Sequence, residues 1–80
     1  MVRKFHREVF EKYLELAGWS TGQLERRAGV AKQMATRWLN GVCVPTEKLT
    51  KRVAKAFNKR FLELGLDVRV MPSDIAGSNK

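Results

Sequence analysis

Residues Ser20 to Gly41 read STGQLERRAGVAKQMATRWLNG, and their spacing sets out two short helices joined by a tight turn. Ser20 and Gln23 stand in the S-x-x-Q spacing of a capping box. The serine hydroxyl accepts a backbone N–H, and the glutamine amide oxygen reaches back to accept from the N–H of the cap residue. Trp19 before the cap and Leu24 after it are placed to close as a hydrophobic staple, which sets the angle at which the chain joins the helix. Gly29 follows Arg26, Arg27 and Ala28, and a glycine there takes the positive φ that ends a helix at little steric cost. Beyond it Val30, Ala35, Trp38 and Leu39 fall at helical spacing while Lys32, Gln33, Thr36 and Arg37 point elsewhere. The second helix is therefore amphipathic, and its outer face is rich in hydrogen-bond donors.

The chain has 80 residues, enough for one small domain near the lower limit at which a single core suffices. Its formal net charge is +8, from 16 basic against 8 acidic residues, a field that attracts polyanions without distinguishing DNA from RNA or anionic lipid. The one cysteine, Cys43, cannot form an internal disulfide and reads as a free loop thiol in a reducing compartment. The N-terminus carries charges throughout and no apolar targeting segment, and no later run approaches the roughly 18 apolar residues of a membrane span. The expectation is a soluble cytoplasmic protein associated with the nucleoid, with no membrane partner. Catalysis is not expected: the carboxylates cluster with neither the single histidine, His6, nor Cys43. No phosphate-cradling glycine loop or metal-ligand spacing occurs, so no cofactor, metal or small-molecule ligand is called for.

Outside the central stretch, Arg3 to Ala17 reads as a first helix with Phe10, Tyr13, Leu14 and Ala17 on one stripe and Phe5 and Val9 extending it. Charge pairs four apart, such as Arg7 with Glu11, support it by a few tenths of a kcal/mol each, about 0.3. Pro45 forces extended backbone and Thr46 caps a fourth helix, whose buried stripe is Leu49, Val53, Ala56 and Phe57. Lys48, Lys51, Arg52, Lys55 and Lys59 fall largely on the other side, either as a solvated face or as phosphate contacts from the N-terminal end. Arg60, Phe61 and Leu64 continue the stripe, so the fourth helix either runs on or breaks near Asn58. After Gly65, Leu66 to Val70 alternates apolar and polar as a strand does. A lone strand needs a partner, either its copy in a second subunit or the domain's own core. Ser73 to Lys80 reads as a disordered tail.

The segment AGVAKQMATRWLNG resembles the helix-turn-helix of the lambda-repressor-like family, which includes phage Cro proteins, phage repressors and xenobiotic-response-element regulators. Ala28, Gly29, Val30, Arg37, Trp38, Asn40 and Gly41 match that family's wording, and the resemblance covers roughly residues 5 to 64. It implies an all-α domain of four to five helices and a break before a short fifth helix at Asn58; the alternation after Gly65 adds a short C-terminal β-strand as a further option. Four departures stand out. Ala31 replaces the usual Ser or Thr cap, a loss of about 1 kcal/mol that predicts fraying at the start of the second helix. Thr21 replaces a phosphate-binding Gln. Glu25 stands where Ala is usual and faces a small Ala35, which reads as a volume exchange. Leu14 and Leu39 replace a buried Arg–Glu pair, and losing both charges together is benign where losing one is not.

By that resemblance the second helix enters the major groove. Lys32, Gln33 and Arg37 are the expected base readers, with Met34 and Thr36 packing on thymine methyls. Thr21, Asn40, Gly41 and Lys48 are expected to hold DNA phosphates. For Arg37 the alternative is an ion pair with Glu25, and for Gln33 simple solvation; Trp38 is expected in the core, and Trp19 as a staple rather than a stacking platform. The expected divisions are a helix-turn-helix domain at 1–65, a strand or dimerisation segment at 66–72, and a tail at 73–80. The expected function is sequence-specific binding of double-stranded DNA at a palindromic operator by a homodimer. The protein then acts as a Cro-like or repressor-like regulator of phage or prophage origin that occludes a promoter. The dimer contacts are expected from Phe61, Leu62, Leu64, Leu66, Val68 and Val70. The alternatives are an accessory DNA-binding protein, such as an excision factor or antitoxin, and a protein-binding module without a DNA role.

Overall fold

A computed structural model describes residues 3–78. In chain order the elements are β1 (Arg3–Phe5), α1 (Arg7–Ala17), α2 (Thr21–Ala28), α3 (Met34–Leu39), α4 (Glu47–Glu63), α5 (Pro72–Ile75) and β2 (Ala76–Ser78). Five helices and one small strand pair make an all-α domain around one core.

The caps at the heads of α2 and α4 are written locally in the sequence. The Gln23 N–H donates to Ser20 Oγ at 3.3 Å while Ser20 N–H donates to Gln23 Oε1 at 2.9 Å, closing the capping box on α2. Thr46 Oγ1 accepts from Leu49 N–H at 3.3 Å at the head of α4. Gly29 ends α2 at φ +71°, the left-handed conformation the turn requires.

The core is organised on Phe57, which is fully buried. Its ring lies 5.6 to 6.0 Å from those of Phe10, Tyr13, Trp19 and Phe61, so α1, α4 and the segment leading into α2 meet on one aromatic cluster. Trp19 stacks on Phe57, and Arg60 sits 5.8 Å over the indole ring while donating from Nε to the Ala17 carbonyl at 2.9 Å. That ring is part of the packing and offers no stacking platform. Trp38 is buried against Phe10, and Leu14 and Leu39 bring only apolar surface to the core. Burial raises the Tyr13 hydroxyl above its ordinary pKa of 10.0, and the nearby Asp74 charge adds to the effect.

The ends of the chain depart from the sequence expectations. The first helix begins at Arg7, not Arg3, because residues 3–5 pair antiparallel with 76–78, matching Phe5 to Ala76. Pairing there lays Phe5 against Phe10 at 5.2 Å. The stretch expected to be a disordered tail instead forms α5 and β2 through residue 78, and Ile75 and Ala76 are buried; residues 79–80 lie outside the described part.

Asn58 explains two further corrections. The fourth helix runs unbroken from Glu47 to Glu63. Rather than interrupting it, the Asn58 side chain accepts from Val70 N–H at 2.6 Å and donates to the Val70 carbonyl at 2.9 Å. Residues 66–70 form no strand, and an amide on α4 supplies what a neighbouring strand would. Phe61 and Val70, expected at a subunit interface, are buried in the chain's own core, and Val68 packs against it. Asn58→Leu should strand both Val70 groups at a cost of about 1–3 kcal/mol. Hydrogen exchange should then show faster opening of Val70, Ile75 and Ala76 than of α4; unchanged protection would mean the clamp does not hold the tail.

Candidate nucleic-acid interface

The sequence predicts a second helix of the motif that starts near Lys32, and α3 starts two residues later, at Met34. Ala31 has no side chain to cap with, and its carbonyl accepts from Met34 N–H at 3.1 Å, so residues 31–34 form a turn. Gln33 occupies the cap position in the left-handed conformation, φ +69°, and makes no side-chain cap bond. That conformation costs a non-glycine residue about 1–2 kcal/mol.

The missing cap is supplied from the neighbouring helix. Glu25 on α2 is only 5 % exposed, and its Oε2 accepts from the Ala35 N–H at 3.0 Å. A carboxylate at this end of α3 satisfies one of the free N–H groups of its first turn and opposes the positive end of the helix dipole. The exchange of Glu25 for alanine and of Ala35 for a larger residue is therefore more than a volume swap: a small residue at 35 lets the carboxylate reach the backbone. This was the functional residue that sequence reasoning missed as such. The signal was an acid at a helix contact position, next to a helix start without its own cap. The carboxylate is engaged there, and Arg37 forms no ion pair with it.

Around this joint the expected contact residues separate into groups. Lys32, Gln33, Thr36 and Arg37 are exposed, the first two on the turn and the others on the outer side of α3. Lys32, Gln33 and Thr36 line an open cleft of about 630 Å³ together with Thr21, Gly22, Glu25, Arg26 and Val30. Met34 is half-buried against the core, which weakens its expected role as a base contact. Thr21 is half-buried at the head of α2, beside the cleft. Asn40 and Gly41, exposed just after α3, border a second hollow that also takes in Lys4 and Arg7. Lys4 escaped sequence reasoning because residues 3–5 were read as helix, and Arg7 because it was read only as the helix partner of Glu11. Lys48 is exposed in the first turn of α4.

Charge is distributed unevenly. Between Trp19 and Arg60 lie ten basic and two acidic residues, so this part of the chain accounts for the whole net charge of +8. One of the two acids, Glu25, is buried, and the other, Glu47, is paired with Lys51 at 3.4 Å. Among the described residues no group of His, Cys, Asp or Glu is placed to hold a metal, and no helix is long and apolar enough to cross a membrane.

Two helices joined at a left-handed glycine, with a donor-rich outer face on the second and a basic surround, define a DNA-binding helix-turn-helix domain. A family model described as Helix-turn-helix, HTH_3, matches residues 10–64, and the chain belongs to this lambda-repressor-like family of DNA-binding regulators. No curated protein and no solved structure gives a significant match.

Proposed function

We propose that the protein is a sequence-specific transcriptional regulator, a Cro-like or repressor-like protein of phage or prophage origin, that occludes a promoter by placing α3 in the major groove. The observation that carries this reading is the exposed row Lys32, Gln33, Thr36 and Arg37 on one side of the Glu25-capped joint. In this arrangement Gln33 pairs with an adenine edge and Arg37 with guanine N7 and O6. Thr21, Asn40, Gly41 and Lys48 hold the flanking phosphates and fix the register.

One short helix reads few base pairs, so occupancy over competing sites calls for a two-fold dimer on half-sites about one helical turn apart. What supports a second copy is an exposed apolar patch. Leu64 and Leu66, 44 % and 38 % exposed, share a hollow with Leu16, and Leu62 is 80 % exposed at the end of α4. These leucines, without Phe61 and Val70, form the proposed contact.

Selection of bound sequences from a random duplex pool tests the reading. A palindromic site is expected. Arg37→Ala should cost about 1–3 kcal/mol and relax preference at one base pair. Equal loss on every sequence would make Arg37 a phosphate contact, a site without symmetry would remove the dimer, and no enrichment would remove the function.

A further inference from the structure

On α4 the residues Lys48, Arg52, Lys55 and Lys59 are all exposed and follow one another at intervals of four, three and four, which places them in a single row along the helix. The row covers about 16 Å at 1.5 Å per residue, the rise of roughly five nucleotides of one strand. It begins at Lys48, proposed above as a phosphate contact. Part-way along, Arg52 Nη1 donates to the Gly29 carbonyl at 3.4 Å, tying the row to the turn between α2 and α3.

The same surface is reached from α2. Arg26 lines the cleft that holds Lys32 and Gln33, and it also lines the next hollow, where Arg27 stands. Arg27 in turn shares a further hollow with Lys59. A basic surface thus runs without interruption from the recognition helix over the α2–α4 flank. None of its six cations is in an ion pair among the described residues. The acids that could neutralise them are elsewhere: Glu8, Glu11 and Glu15 on α1, with Asp67 and Asp74 in the C-terminal segment. Three acids stand nearer: Glu25 lines the cleft but is buried on the Ala35 N–H, Glu47 is paired with Lys51, and Glu63 borders the surface at its far end.

A solvated helix face needs no such segregation, since mixed charges solubilise as well and repel one another less. A continuous unpaired row that starts at the groove-binding face matches a polyanion that also starts there. We propose that the α2–α4 flank is a second DNA surface: duplex outside the sequence read by α3 bends back onto Arg27, Lys55 and Lys59. This rests on the proposed DNA-binding function and adds to it a longer footprint and a bend. Bending a site of 20–30 base pairs by 40–90° costs about 1–6 kcal/mol, which added phosphate contacts can offset. Flanks rich in flexible pyrimidine–purine steps are then favoured at positions no side chain reads.

The test compares two duplexes carrying the selected site, one trimmed to the bases that selection defines and one extended by about one helical turn on each side. Affinity is measured against salt, and the end-to-end distance of the extended duplex by fluorescence transfer. For the wild-type dimer the extended duplex should show a salt slope steeper by about 5, at about 0.9 for each phosphate met by Arg27, Lys55 and Lys59 of the two protomers, and a shortened end-to-end distance. The triple variant Arg27→Gln, Lys55→Gln, Lys59→Gln changes exposed side chains only. It should bind the trimmed duplex as the wild type does and lose both the extra slope and the shortening. Equal slopes and equal end-to-end distances for wild type and variant on the extended duplex would overturn the proposal while leaving site recognition intact. That holds also if the variant instead loses an acidic protein partner. Failure of the wild-type protein to bind even the trimmed duplex would overturn the DNA-binding reading itself.

Discussion

Phe57→Ala is expected to leave the domain largely unfolded at ordinary temperature. The ring is fully buried and touches four other aromatic rings drawn from α1, α4 and the segment before α2. Phe→Ala truncations in such positions cost about 3–5 kcal/mol, the lost transfer energy plus the cavity left behind. Domains of this kind hold about 5–15 kcal/mol in total, and small ones sit toward the lower end. Here the loss is compounded because Trp19, just ahead of the cap of α2, rests on Phe57. Thermal unfolding should move down by on the order of 20 °C. A shift of only a few degrees would mean that the remaining rings close over the gap.

The second large effect is expected at Glu25. Glu25→Ala leaves the Ala35 N–H buried without an acceptor, at about 1–3 kcal/mol, and opens a small void between α2 and α3. Glu25→Gln keeps an acceptor oxygen and loses the favourable charge at the helix end, about 0.3–1 kcal/mol. The order wild type, Gln, Ala should appear in denaturant midpoints. It should appear again, more steeply, in the ratio of affinity for the selected site to affinity for random duplex, because a loosened α3 still meets phosphates but no longer holds Arg37 in register. Adding Ala31→Ser to Glu25→Ala supplies a cap from the helix's own leader and should recover about 1 kcal/mol. If Glu25→Ala matches the wild type in both measurements, the carboxylate is not what starts the helix.

These residues also show where a sequence can and cannot be read. The capping box at Ser20, the glycine turn at Gly29 and the cap at Thr46 involve partners within a few positions, so their chemistry is visible as spacing. The periodicity of α4 was visible for the same reason. Asn58 was ambiguous because an asparagine in a helix either breaks it or finds a partner, and its partner, Val70, lies beyond a glycine turn. The alternation in Leu66 to Val70 reads as a strand, yet no strand forms there, because the Asn58 amide and not a neighbouring strand satisfies Val70. The pairing of residues 3–5 with 76–78 joins opposite ends of the chain, and no local pattern encodes it. At the interface, the motif named the exposed row but not its support, since Glu25 looks like a size exchange until the backbone it meets is known.

The Glu25 bond has a bearing on how such a protein changes its target. Where a serine or threonine ahead of the recognition helix must act as the cap, that leader is under structural obligation and its neighbours inherit the constraint. Here the obligation has moved across to α2, and Ala31 and Lys32 lie exposed on a turn whose backbone, but not whose side chains, the helix start uses. If Lys32 reads bases as proposed, new operator preferences can be explored there by single substitutions that leave stability almost untouched, with the vocabulary of the reader free to drift while its grammar is kept elsewhere.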